Sequence, residues 1–187
     1  TWYGAAAYCN WRSRQEGKEQ CYNLSTWDCD FSKKGYRLAT EAEWEYASRG
    51  GLSGRRFPWG DTITHSQANY WSSSDYSYDT SPTRGYHPTW NDGIVPYTSR
   101  VGSFAANGYG LYDMAGNVWE WCNDWYDPYY YDYSPTNNPT GPITGWYRVI
   151  RDGPWYSNAI ICRVASRSSG APRSRGDTIG FRCVLDF

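Results

Sequence analysis

Aliphatic residues are scarce in this chain. Leu, Ile, Val and Phe together number 23 of 187 residues, a share that in a strongly charged chain would exclude a packed core. Strong charge is also missing: the formal net charge is −1 and no block of like charges occurs, so there is no electrostatic case for nucleic acid. With two His and no C-x-x-C pair, the thiols do not read as a zinc site. No apolar run is long enough to cross a bilayer, so membrane insertion by this chain is not expected, and no signal-peptide pattern opens it. An export signal or lipid anchor would have to lie in a precursor segment outside this sequence.

What is present is aromatic. Twelve Trp and 19 Tyr supply the apolar area, each buried ring removing on the order of 150–250 Å² from water while its N–H or O–H asks for a partner. Such a core, with 19 Gly and 10 Pro, favours short strands, turns and irregular loops within one domain. Six cysteines in a chain with so little aliphatic core read as a disulfide set, which places the protein outside the cytosol. Spacing alone leaves 15 pairings open.

In chain order, Thr1 caps a helix that carries Tyr3, Ala7, Tyr8 and Trp11 on one face, expected to face the core. Residues 15–34 are polar and hold Cys21 and Cys29, a surface excursion expected to be pinned by its own bridge. A second helix follows, with Thr40 as cap, Glu43 completing a capping box, Gly50 as stop, and Trp44 and Ala47 inward. Its glutamates read as dipole partners rather than catalysts. Residues 57–100 show no regular pattern, which in a compact domain calls for another source of order, such as a bound cation. Asn69 and Asp92 offer hard oxygen ligands there, although both types also form turns. Further on, Asp113 and Glu120 bracket a Gly-Asn turn, so their carboxylates and the turn's carbonyls could converge on one ion.

The last long stretch, residues 148–182, has strand-like ends and a patternless middle. Arg148 to Arg151 and Ile179 to Arg182 alternate at strand period, and Trp155 follows a Gly-Pro turn. Tyr156 to Asn158, Ile160-Ile161 and Ser168 to Thr178 are rich in small polar residues without period. A displayed surface between two struts is one reading, and an ordinary closing loop is the other.

Four segments, GYRLATEAEWEYASRGG, FPWGD, NGYGLYDMAGNVWEW and RVIRDGPW…CRVASR…P…R…IGFR, resemble the formylglycine-generating-enzyme (sulfatase-modifying factor) domain family. The resemblance implies an α+β architecture, a variant of the C-type lectin fold with two helices, short antiparallel strands and much irregular loop. It begins part-way into the family domain, so the family's first strands are expected before Thr1. It also implies two calcium sites: one from Asn69, the Tyr70 carbonyl, Asp92 and the Ile94 carbonyl, the other from Asp113, the Gly116 and Val118 carbonyls, and Glu120. The family's enzymes oxidise a substrate cysteine with copper and oxygen, using two cysteines shortly after the Trp or Tyr of an RGGSW-type motif. Here residues 156–161 hold no thiol and Cys162 falls beyond the second position, so neither copper nor oxidase chemistry is expected. A Cys9–Cys183 bridge matches a structural disulfide of the family, Ser48 and Val164 stand where its other bridge would be, and Cys122 and Cys162 are expected close together in the core.

A second branch of the fold is more similar still: the variable ligand-binding proteins of diversity-generating retroelements, whose C-terminal segment is rewritten at adenines. Rewritten Asn codons never yield Lys, Glu, Gln or Met, and none of the four occurs from Asp152 to Ile179. By this resemblance the ligand surface comprises Tyr156, Ser157, Asn158, Ile160, Ile161, Ser168, Ser169, Gly170, Arg173, Ser174, Gly176, Asp177 and Thr178. The partner would be a protein or surface ligand, met at a bacterial outer surface or in the periplasm. The rivals are an oxidoreductase of the same fold, formylglycine-generating or sulfoxide-forming, and a purely structural surface domain.

Overall fold

The computed structural model describes residues 1–185. These form two α-helices, one 3-10 turn and six short strands: α1 (Trp2–Gln15), β1 (Tyr36–Leu38), α2 (Glu41–Arg49), β2 (Trp119–Trp125), the turn Tyr130–Asp132, β3 (Arg148–Arg151), β4 (Ser168–Gly170), β5 (Ile179–Gly180) and β6 (Cys183–Leu185). Strand β1 pairs antiparallel with β6. A four-stranded sheet runs β4-β3-β2-β5, with β5 parallel to β2 and the other pairs antiparallel.

Both helices start where the sequence places their caps. The Thr1 side chain accepts from Gly4 N, and Thr40 and Glu43 form a complete capping box, with left-handed Gly50 ending α2. The buried face of α1, however, is not the expected one. Trp2, Ala5, Ala6, Cys9, Asn10 and Ser13 are buried, while Tyr8 and Trp11 are exposed and pack on each other, Tyr8 also meeting Phe181. Hydrogen bonds decide this. Asn10 exchanges two bonds with the Tyr22 backbone, Tyr36 N donates to Ser13 Oγ, and Trp2 Nε1 donates to the Cys122 carbonyl.

Strand β3 has the alternating sequence of a half-exposed strand, yet all four residues are buried. Its guanidiniums are the reason. Arg148 lies 3.6 Å from the ring centroids of both Trp2 and Trp125, and burial lowers its pKa to about 10. Arg151 is fully buried, donating to Glu41 Oε1 at 2.8 Å, to Glu45 Oε2 at 2.7 Å and to the Val164 carbonyl. Two α2 glutamates are thus structural counter-charges, joined by Arg167, which also donates to Glu41.

Three apolar clusters form the interior. The first joins α1, Cys21, Tyr22, Trp121 and Ile150, with Cys29 and Cys183 packed against it. Cys122 lies in a cluster with Trp44, Met114 and Val149, whereas Cys162 lies in another with Phe57, Ile63, Ala68 and Tyr70. The expected proximity of Cys122 and Cys162 is therefore not found: each thiol is buried in a different apolar cluster, Cys122 on β2 and Cys162 in the loop after β3. The region 57–100 holds no named helix or strand, as its sequence suggests, and is ordered by isolated bridges such as Ser72–Gly85 and Ile63–Asp79.

Candidate ligand surface and candidate cation centre

The segment after β3 alternates anchors with outward residues. Trp155 is buried, its backbone N–H donating to the Asn117 carbonyl at 2.8 Å and its ring packed against Tyr86, Tyr97 and Tyr156. Ala159 and Cys162 sink into the second cluster. Between them Tyr156 is 48% exposed, and Ser157, Asn158, Ile160 and Ile161 are half-buried. Two turns shape this run, Ser157 N donating to the Pro154 carbonyl and Ile161 N to the Asn158 carbonyl. Ile160 and Ile161 are neither on a bare solvent face nor in a doubly buried strand. Ile161 leans on Gly153, where an added Cβ would come within 2.8 Å of it.

Ser168, Ser169 and Gly170 depart from the loop expectation, since they form strand β4 against β3. A Cβ at Gly170 would meet the Trp121 ring at 2.8 Å, so this position belongs to the packing and not to a freely varying surface. Arg173, Ser174, Gly176 and Asp177 are exposed and Thr178 is half-buried, its carbonyl accepting from Trp119 N. Pro172 anchors this arc, its carbonyl accepting from Trp2 N at 3.0 Å. Sequence reasoning missed Trp71, whose N–H donates to the Ser157 carbonyl and whose ring is 38% exposed against Tyr86. It also passed over the exposed Arg175. The patternless stretch around Trp71 carried no signal that it would pair with Ser157 and Asn158.

The second cation set is gathered. Asp113, Gly116, Val118 and Glu120 line one open cavity of about 670 Å³ together with Arg182 and Phe181. Gly116 has φ 82°, and a Cβ there would collide with the Asn69 carbonyl, so the turn demands glycine. Asp113 Oδ2 accepts from Gly102 N, while Asp113 Oδ1 is buried without a hydrogen-bond partner. That orphaned oxygen fits a hard cation. Both Glu120 oxygens are engaged, accepting from Arg182 Nε and Nη2 at 2.6 Å and from Trp44 Nε1 at 2.7 Å.

The first set is not drawn together by hydrogen bonds among the described residues. Buried Asn69 donates from Nδ2 to the Tyr97 carbonyl, and the Tyr70 carbonyl meets His65 Nε2 at 3.1 Å. Asp92 is exposed and accepts from its own loop at Ile94 N, and Ile94 is itself exposed.

Of the thiols, Cys9 Sγ faces Cys183 Sγ at 3.4 Å, unbridged. The Cys29 thiol, in the same neighbourhood, is pushed up to about 12 by burial and then by Cys21. Cys162 is fully enclosed, with burial and then the Asp152 charge pushing its thiol well up. A soft metal or an oxidant would meet a protonated sulfur there rather than a thiolate.

The chain is 46% identical over 158 residues to the formylglycine-generating enzyme of Streptomyces coelicolor, covering 81% of this chain and 47% of that one. It is 40% identical over 186 residues to the serine/threonine-protein kinase pkn1 of Chlamydia caviae, covering 98% of this chain and 23% of that one. It thus spans about half the length of the first and about a quarter of the second. Among solved structures, Treponema denticola variable protein 1 superimposes with a TM-score of 0.74 at 31% identity, over 97% of this chain and 68% of that one. Two helices, small mixed sheets and abundant loop make this the α+β, C-type lectin-like architecture. The description that matches residues 1–187 is that of the sulfatase-modifying factor enzyme 1-like domain, and the chain belongs to that family.

Proposed function

We propose that the chain is a ligand-binding domain that displays a variable surface, the residues around Tyr156 and Arg173 to Thr178, on a fixed scaffold. One observation carries this reading: outward residues alternate with anchors, so that Tyr156 and Arg173 are exposed while Trp155, Ala159, Cys162 and Pro172 are buried. Exposed substitutions between such anchors typically change stability by no more than about 0.5 kcal/mol. Tyr and Arg among small polar residues also suit a binding face, since rigid rings give contact area at low entropic cost. The similarity to the variable protein supports diversification by a retroelement. A reverse transcriptase and an adenine-differing near-copy of the 3′ coding region beside the gene would test that origin. The partner is a protein or surface ligand, and the setting a bacterial surface or periplasm. Calcium at the Asp113 turn has a stabilising role in this reading.

The high identity to formylglycine-generating enzymes favours a second reading, oxidation of a peptidyl cysteine. Residues 156–161 offer no thiol and Cys162 is enclosed, which weighs against it. Oxygen consumption with a cysteine-containing sulfatase peptide and copper should stay at background. Turnover above that of a Cys162→Ala variant would restore the enzymatic reading.

A further inference from the structure

In the Arg151-Asp152-Gly153-Pro154-Trp155 turn, Asp152 takes a left-handed conformation that favours glycine, with φ 71°. An acidic side chain in that strained backbone is also wholly buried. Its Oδ1 accepts from Gly153 N at 2.9 Å and from Gly116 N, the glycine of the Asp113 turn. Its Oδ2 has no hydrogen-bond partner. A carboxylate oxygen left bare in the interior is costly, and the cost falls if a cation takes it up.

The neighbourhood has the right charge. Asp113, Glu120 and Asp152 face one guanidinium, Arg182, which donates to Glu120 and to the carbonyls of Tyr112 and Asp113. Three acidic side chains against one basic one make an acidic excess that a divalent ion would offset, and without such an ion burial and the Glu120 charge push the Asp152 carboxyl well above its ordinary value. Glu120 has no free oxygen, being held by Arg182 and Trp44, whereas Asp113 and Asp152 each keep one buried and unpartnered. Among the described residues no three His, Cys, Asp or Glu side chains stand as a metal cluster. Two carboxylates aided by backbone carbonyls and water remain the available donor set.

We infer that in this chain Asp152, in place of Glu120, is the second carboxylate of the cation centre, with Asp113 and the Gly116 and Val118 carbonyls, while Glu120 and Arg182 form a permanent internal ion pair. The inference rests on the calcium reading of the Asp113 turn. The ligand is a hard divalent cation of the calcium class.

The test titrates the intact chain with Ca²⁺, and with Tb³⁺ read by tryptophan-sensitised luminescence, since Trp44 is hydrogen-bonded to Glu120. Asp152→Asn, Asp152→Gly and Glu120→Gln are compared with the unmodified chain, and melting in chelator confirms that each folds. Both Asp152 variants should bind about tenfold or more weakly, and Glu120→Gln should bind within about threefold of the unmodified chain. Asp152 variants that bind as the unmodified chain does would overturn the inference, as would a tenfold loss on Glu120→Gln. An unmodified chain that binds neither ion would remove the calcium reading itself, a result distinguishable from both.

Discussion

Trp155 and Tyr156 are adjacent in sequence and meet edge to face, their ring centroids 5.3 Å apart, yet Trp155 is buried and Tyr156 nearly half exposed. One residue belongs to the scaffold and the next to the surface it presents. Trp155→Ala should therefore destabilise by about 3–5 kcal/mol, the usual cost of removing a buried ring. Urea unfolding measures it, and a loss below about 1 kcal/mol would mean that the ring is not an anchor.

Arg151 holds two carboxylates of α2 from a wholly buried position. Arg151→Met leaves Glu41 and Glu45 without that partner, and breaking one side of a buried pair costs about 3–5 kcal/mol. Replacing Arg151, Glu41 and Glu45 together by apolar residues should cost less than the single change. An equal or greater loss in the triple variant would contradict a paired, desolvated network.

Asp124 sits beneath the start of α2, its Oδ2 accepting from Glu41 N at 2.8 Å. Burial, and to a lesser extent the Glu41 charge, raises its pKa from 3.8 to about 7. The folded chain therefore keeps a proton that the unfolded chain releases, so this group's contribution is full below about pH 4 and is lost as pH rises towards 7. His65 and His87 act in the opposite sense, since burial lowers both and stability falls on acidification below about 6.5. Asp124→Asn keeps an acceptor for the helix and removes the charge. The stability difference between it and the unmodified chain should change between pH 4 and 7, and a flat difference would contradict the buried-carboxyl account.

Cys9 and Cys183 lie on α1 and β6 with their sulfurs facing. In an oxidising compartment they should be found bridged, and closure of a loop of about 175 residues stabilises by roughly 5 kcal/mol on the chain-entropy model. Peptide mapping of protein purified without reductant checks this. Cys183 recovered wholly alkylated would remove the bridge and the extracellular assignment with it.

Helix caps, breakers and the four family segments made much of this fold legible, because their signals are local. The buried face of α1 was not, since in so aromatic a chain Tyr8 and Trp11 could line either side, and Asn10 and Ser13 enter the core only through bonds to distant backbone. Strand β4 was illegible for a related reason: Ser-Ser-Gly has no strand propensity and is ordered by the edge of β3. At the candidate site, loss of pattern marked Tyr156 to Ile161 and Arg173 to Thr178. Asp152 could not be singled out, because its buried oxygen is a fact of packing and not of spacing.

On the displayed-surface proposal, stability and binding reside in different residues of the same segment. The measurement is a melting curve and a partner-binding assay, on the same samples, for a variant in which Tyr156, Ile160, Ile161 and Arg173 are all replaced by Ser or Asn, beside Trp155→Ala. Exposed Tyr156 and Arg173 contribute little to stability and the half-buried isoleucines somewhat more, so the quadruple variant should melt well above Trp155→Ala while losing its ligand. A quadruple variant that unfolds as readily as Trp155→Ala, or that folds and still binds its partner undiminished, would contradict the displayed-surface account.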